Sequence, residues 1–279
     1  VRRERVKWKA TSCHRMTTIL IDGGYFVGRF EKHWFHNPRR KNMKYWWEQR
    51  KMNKISFEER DSHLYRLFNY DLTYLHMKIA EIEPHSRVIV CYDGIYGRRP
   101  RGALYPQYKQ NRKGGVLATE HKGIDVREKI KRTKHDPENL AFGWETIYDE
   151  SKEADDIIAE LCYSLPKDEN IVVMSKDGDL IQLMTLPNVS LHDFTSMITE
   201  ENLMEKYGIK SSQYLDYKSL VGDKADNIPG IKGVGPKTAQ KYLSEYESID
   251  NFPPEILDED GIKLTNLWKK ISIIPFHNE

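Results

Sequence analysis

Three short apolar runs in this chain end in the same way. Thr18 to Asp22 reads TILID and is followed by two glycines; Val88 to Asp93 reads VIVCYD and is followed by Gly94. The third, Ile171 to Met174, runs on through Ser175 and Lys176 into Asp177, Gly178 and Asp179. Each is too short for a helix and suits a buried strand. Val189 to His192 reads as a weaker fourth. Leu64, Leu67, Phe68, Leu72 and Leu75 recur at helical spacing before the second run, and Ile157, Ile158, Leu161 and Leu165 do so before the third. Strands alternating with helices predict an α/β protein with a mostly parallel central sheet flanked by helices. Ligands bind such sheets outside the carboxyl ends of the strands. The strand-end aspartates therefore belong to one rim.

Other acids join them. The carboxylates fall into five groups: Asp22; Asp93; Glu153, Asp155 and Asp156; Asp177 and Asp179; Asp223 and Asp226. Glu153 and Asp156 are three apart and share a helix face, as do Asp223 and Asp226. The Glu-Ala-Asp-Asp stretch opens a helix, where negative charge sits well with the dipole. Like charges gathered on one rim repel and need cations to coexist. Oxygen donors without His or Cys favour hard divalent ions, Mg²⁺ or Mn²⁺. Two such ions about 3.5–4 Å apart would clamp a phosphodiester, activate a water and neutralise the leaving oxygen.

The charge balance fits a polyanion as substrate. Lys and Arg number 44 against 42 Asp and Glu, yet they are unevenly spread. Basic residues crowd 29–60 and 98–134, interleaved with Trp34, Trp46, Trp47, Tyr105 and Tyr108. The second stretch, about 97–136, holds Gly114 and Gly115 and lacks a sustained apolar face, so it reads as an excursion over the rim rather than core. After Tyr214 glycines at 230, 233 and 235 mark a tight hairpin, and Pro236 suits the first position of a helix. No apolar run approaches the roughly 20 residues a spanning helix needs, which argues against a membrane protein. Aromatic residues at 11% and recurring apolar clusters argue against disorder. Three scattered cysteines give neither a disulfide framework nor a zinc pair and point to a reducing cytoplasm. Residues 1–15 are basic, lack the apolar stretch of a secretory signal, and are left out of the fold.

In order, Ile21-Asp22-Gly23, Tyr92-Asp93-Gly94, Tyr108-Lys109-Gln110-Asn111-Arg112, Glu153-Ala154-Asp155-Asp156, Ser175-Lys176-Asp177-Gly178-Asp179 and Gly222-Asp223-Lys224-Ala225-Asp226-Asn227-Ile228-Pro229-Gly230 form one set. Together they resemble the flap endonuclease family, above all bacteriophage 5′–3′ exonucleases and the 5′-nuclease domain of bacterial DNA polymerase I. The resemblance covers about residues 17–250. It implies a PIN-like mixed sheet with a helical arch above the site and a helix-hairpin-helix region. The implied division is a nuclease core over 16–205, with the arch at about 97–136, and a duplex-binding region over 206–279.

The resemblance also implies roles. Asp22, Asp93, Glu153, Asp155 and Asp156 match a first metal cluster, and Asp177, Asp179, Asp223 and Asp226 a second, for two Mg²⁺ or Mn²⁺. Lys109 and Arg112 match a basic pair that contacts the scissile phosphate, and Tyr108 an aromatic that stacks on a base. Gly230, Ile231, Gly233, Val234 and Gly235 match the hairpin, which holds duplex backbone and K⁺, with Lys237 and Lys241 as further phosphate contacts. The implied substrate is DNA with 5′ flaps, nicks or ends, with an RNA/DNA hybrid as a variant, cut to remove primers or flaps in replication by a monomer in the cytoplasm. A PIN-like ribonuclease shares the acidic rim, and a non-catalytic DNA-binding protein shares the basic stretches. The segment from about Phe30 to Ser62 is long for the phage members, and little chain follows Leu267.

Overall fold

A computed structural model describes residues 16–26, 57–111 and 142–276. The Trp- and Arg-rich stretch at 27–56, most of the expected arch (112–141, with Arg112) and the basic residues 1–15 lie outside the described residues.

The described strands are β1 (Thr17–Asp22), β2 (Arg87–Tyr92), β3 (Glu145–Tyr148), β4 (Asn170–Met174), β5 (Val189–His192) and β6 (Met197–Ile198). They form one sheet in the order β3-β2-β1-β4-β5-β6. All neighbours are parallel except β5 and β6. β1 lies at the middle, with Leu20 facing Ile89 on one side and Val173 on the other. The four expected strands are present. β3 and the short antiparallel β6 were not foreseen.

The sheet is buried on both faces, which explains the continuous apolar runs. Side chains alternate across β1. Leu20, Ile89, Cys91, Ile171 and Val173 pack on one face against Ile157 and Ile158 of helix α3 (Ala154–Ser164). Ile19, Ile21, Val88, Val90 and Met174 pack on the other against Leu72, Leu75 and Ile79 of helix α1 (Phe57–Ile82). A short helix, α2 (Arg99–Leu104), follows β2. At residues of this sheet and its helices the mostly parallel α/β expectation is met.

After β6 the chain is helical, with α4 (Glu200–Tyr207), α5 (Tyr214–Val221), α6 (Pro236–Tyr246) and α7 (Glu259–Ser272). Pro236 does occupy the first turn of α6. The α5–α6 connection is shaped by two glycines packed back to back. Gly222 and Gly230 both have positive φ, and a Cβ on Gly230 would lie 2.5 Å from Gly222 N. Neither position can accept a side chain at that approach. Asp223 and Ile228 close the loop between them by exchanging two backbone hydrogen bonds of 2.8 Å. Among the described residues no helix is long and apolar enough to cross a membrane.

Candidate metal centre and nucleic-acid interface

The parallel sheet delivers its acids to one rim. Asp22 ends β1, Asp93 follows β2, and Asp177 lies just past β4. Asp22 is buried and held on both oxygens: Oδ1 accepts from Tyr25 N at 2.9 Å and Oδ2 from Ser175 Oγ at 2.8 Å. A Cβ built on Gly24 would lie 3.4 Å from Asp22 Oδ1 and 3.6 Å from Asp93 Oδ2, so the two carboxylates flank one small gap. Asp93 Oδ1 also accepts from Ala154 N at 2.9 Å. It thus caps the first turn of α3, where orphan N–H groups and the dipole welcome an anion. That cap aims the next residue, Asp155, into the rim.

Asp155, Asp177 and Asp179 each offer one oxygen within 4.8 Å of the others. Asp177 itself caps the 3-10 turn at Gly178–Thr185, accepting from Asp179 N at 3.1 Å. Asp155 accepts no hydrogen bond or ion pair from the described residues. Burial, then the charges of Asp177 and Asp22, push its carboxyl far above the usual range. Burial likewise lifts Asp22 to about 7, helped by the charge of Asp93 and opposed by the Tyr25 N–H. Asp179 rises to about 6, burial outweighing the pull of Lys218. Such oxygens suit a hard cation: they are close together, and those of Asp155 and Asp177 make no ion pair among the described residues.

The remaining acids are compensated from within the protein. Arg101 is only 3% exposed. It donates to both oxygens of Asp156 (2.6 and 2.7 Å), to Glu153 Oε2 (3.1 Å), and to the carbonyls of Ile271 and Ile273. Burial opposes its charge, but the bonds to and charge of Asp156 prevail and its pKa rises. Glu153 takes two more partners, Lys109 Nζ at 2.6 Å and Tyr108 OH at 2.9 Å. In the other set, Lys218 of α5 is buried and sits among Asp179, Asp223 and Asp226. It lies 3.0 Å from Asp223 and 3.2 Å from Asp226. Burial disfavours its charge, yet those three carboxylates hold its pKa well up. Lys109 links the two sets, with Nζ 3.9 Å from Asp226 Oδ1 and its backbone N–H donating to Asp226 O at 3.0 Å. Its φ of 54° lies in the left-handed region, sparsely used by residues other than glycine.

These contacts revise several expectations. The protein supplies cations of its own to the rim: Arg101, Lys109 and Lys218 serve Glu153, Asp156, Asp179, Asp223 and Asp226. Tyr108 is not exposed for stacking on a base. Its ring is buried with Ile228, Trp268 and Ile271, because its hydroxyl must reach Glu153. Arg101 and Lys109 belong to the interior, although their segment reads as an excursion clear of the core. At the hairpin, Gly230 is buried against Gly222, whereas a Cβ on Gly233 or Gly235 would meet nothing within 4 Å. Ile231 N donates to Leu220 O and Val234 N to Ile231 O, which fix the turn. Lys237 and Lys241 are exposed on α6.

Comparison with known proteins agrees with this geometry. A family model described as "5'-3' exonuclease, N-terminal resolvase-like domain" matches residues 54–208. A second, "5'-3' exonuclease, C-terminal SAM fold", matches residues 209–272. The chain belongs to the 5′-3′ exonuclease family. Among relatives in this family, DNA polymerase I of Caldicellulosiruptor bescii is 37% identical over 183 residues, 62% of this chain and 20% of the polymerase. The 5′-3′ exonuclease of Buchnera aphidicola (subspecies Acyrthosiphon pisum) is 32% identical over 194 residues, 67% of this chain and 63% of that one. The chain thus spans a fifth of the polymerase and less than two thirds of the exonuclease. In fold it is similar to bacteriophage T5 5′-exonuclease with bound zinc, at a TM-score of 0.60 and 21% identity over 92% of this chain and 86% of that one. A complex of the T5 flap endonuclease with DNA and metal ions aligns at 0.55 and 19% identity, with the same coverage.

Arg101 and Lys218 were not singled out from the sequence as parts of the site. Arg101 stands in a basic run that looks like surface. Lys218 carries a weak signal, lying five and eight residues before Asp223 and Asp226. Removing the cation from a buried cluster leaves bare charge behind. Arg101→Met should lower unfolding free energy at neutral pH by about 3–5 kcal/mol in urea titration, with Arg101→Lys between it and the parent. A loss under about 1 kcal/mol would show that the cluster is not held by this residue.

Proposed function

We propose that the chain is a divalent-metal-dependent, structure-specific 5′-nuclease that hydrolyses DNA phosphodiesters near 5′ ends, nicks and flaps. The observation that carries this reading is the division of the acidic rim. Five acids, Glu153, Asp156, Asp179, Asp223 and Asp226, have cations of the protein beside them, while Asp22, Asp93, Asp155 and Asp177 make no ion pair among the described residues, and burial raises the carboxyl pKa of Asp22 and Asp155. A chain that needed only structural acids would not leave Asp155 at the start of a helix without an ion pair or hydrogen bond from the described residues.

In this reading the nine acids serve two Mg²⁺ or Mn²⁺. Asp22, Asp93 and Asp155 face the first ion, with Glu153 and Asp156 behind them on Arg101. Asp177 and Asp179 face the second, with Asp223 and Asp226 behind them on Lys218. Bound there, the ions supply an activated water and offset the charge of the leaving oxygen. The protein's part is orientation. Ser175 and the Tyr25 N–H fix the Asp22 carboxylate, and Asp93 fixes the helix start that presents Asp155. Glu153 holds the Lys109 ammonium at the seam of the two sets, where positive charge favours a phosphate whose charge grows in the transition state. Arg112, three residues on, is assigned to the same phosphate.

The α5–α6 hairpin is assigned to duplex backbone. Gly233 and Gly235 leave the main chain open to close approach, the N-terminus of α6 adds positive potential, and Lys237 and Lys241 stand exposed beside it. Contacts of this kind position a duplex without reading sequence. K⁺ at the hairpin belongs to this assignment. So do the domain division at about 205/206, action as a monomer, and a cytoplasmic role in removing primers or flaps, including RNA/DNA hybrids, during replication.

Digestion of a 5′-labelled flap duplex beside single-stranded RNA, with and without Mg²⁺, tests the reading. Flap DNA should be cut only with Mg²⁺ and Asp155→Asn should abolish cutting while binding persists. Preferential cutting of the RNA would favour a ribonuclease, and no cutting of either would contradict the proposal. The raised carboxyl values set a pH dependence. Without metal, Asp22 near 7 and Asp179 near 6 hold protons in acid that a cation must displace. Mn²⁺ should therefore bind tighter at pH 8 than at pH 6, by about tenfold or more, in calorimetric titration. Equal affinity at the two pH values would contradict the assignment.

A further inference from the structure

Immediately beyond Asp93 the chain makes a loop that the site described above does not use. Ile95 is 63% exposed and Tyr96 is 40% exposed, two large side chains open to solvent beside the acidic rim. Arg99 lies over the Tyr96 ring, its guanidinium carbon 3.8 Å from the centroid. Arg98 and Arg99 are both exposed. Tyr96 follows Asp93 by three residues, so its Cα lies within about 11 Å of that of the acid.

The loop is held firmly in spite of its exposure. Gly94 N donates to Lys152 O at 2.7 Å, Tyr96 N to Glu150 O at 2.8 Å, and Ile95 N to Tyr148 OH at 3.3 Å. A Cβ on Gly94 would lie 2.1 Å from Asp149 O, and one on Gly97 would lie 2.5 Å from Lys152 O. The two glycines let the loop press directly onto the segment that leads into α3. The neighbouring carboxylate of Asp149 accepts from Ser151 N and Oγ and lies 4.0 Å from Lys152 Nζ. A flat aromatic ring backed by a guanidinium is thus fixed in place at the edge of the acidic rim, among exposed positive charge.

We infer that Tyr96 and Arg99 form a stacking shelf for an unpaired base of the DNA strand entering the rim beside Asp93. This inference rests on the nuclease reading of the rim. Every base presents a π-face, so aromatic and guanidinium surfaces bind single strands without regard to sequence. The two arginines complement the phosphates on either side. Ile95 extends the apolar ledge on which a base edge would rest. An unpaired nucleotide is the occupant favoured over paired DNA, because a base inside a duplex has its faces already stacked. The shelf binds rather than reacts, so it contributes to affinity and to the choice of cut position.

The experiment uses the whole chain and measures fluorescence anisotropy of two labelled DNAs, with Ca²⁺ in place of Mg²⁺ to hold off cutting. One is a duplex with an unpaired 5′ flap and the other is the same duplex with a flush end. Tyr96→Ala should weaken flap binding by about 5- to 100-fold and leave the flush duplex nearly unchanged. Tyr96→Phe should bind as the parent does, since it keeps the ring. The single-turnover rate at saturating flap DNA with Mg²⁺ should stay the same for Tyr96→Ala. Parent-like flap binding by Tyr96→Ala, or equal weakening on both DNAs, would overturn the shelf while leaving the nuclease reading standing. A parent protein that neither binds nor cuts flap DNA would overturn the nuclease reading and the shelf with it.

Discussion

Mutual repulsion among carboxylates is the constraint around which this molecule is arranged. A parallel sheet with β1 at its centre brings the ends of β1, β2 and β4 to one rim, and each end carries an acid. Burying several like charges together costs far more than any single hydrogen bond returns. The fold meets this cost in two different ways on the same rim. Arg101 and Lys218 enter the interior and neutralise the outer acids. Among the inner acids, burial holds the carboxyls of Asp22 and Asp155 above the usual range. That division is what makes a stable protein compatible with a site of concentrated negative charge.

The same division ties the helical C-terminal region to the sheet. Arg101 bridges the carbonyls of Ile271 and Ile273 at the end of α7 to Glu153 and Asp156 at the start of α3. Phe276 N donates to Asp156 Oδ1, and the Phe276 ring lies under the Arg101 guanidinium. Lys218 does the equivalent from α5, reaching Asp179 at the end of the β4 turn and Asp223 and Asp226 in the next loop. The segments matched by two family models, 54–208 and 209–272, are therefore joined through the charged cluster itself. Any change in the occupancy of the inner acids alters the field felt by both cations.

Much of this was legible in the sequence because the sheet's periodicity is simple. A fully buried strand reads as an unbroken apolar run, and the residue after it stands at the rim, so Asp22, Asp93 and Asp177 announce themselves. The helix bearing Asp155 was legible from Ile157, Ile158 and Leu161, and the α6 start from Pro236. β3 was hidden because it is a half-buried edge strand, with Glu145 exposed and no apolar run. Arg101 and Lys109 were misplaced because a run of basic residues looks the same whether it faces water or turns inward to acids some fifty residues away. Tyr108 was misjudged for a related reason: its role follows from a hydroxyl bond to Glu153 that only the packing of 104–109 against Trp268 and Ile271 creates. Gly230 and Gly233 look alike in the sequence, yet one is required by its contact with Gly222 and the other is open.

The central claim is that Asp22, Asp93, Asp155, Asp177 and Asp179, and not the acids paired to Arg101, take up divalent cations first. Crystals grown without metal and soaked in Mn²⁺ test it most directly, with anomalous difference density locating each ion. The account predicts peaks bounded by Asp22, Asp93 and Asp155 and by Asp177 and Asp179, with Arg101 still on Asp156. Peaks elsewhere on the molecule, or an ion displacing Arg101 from Asp156 while the gap beside Asp155 stays empty, would contradict it.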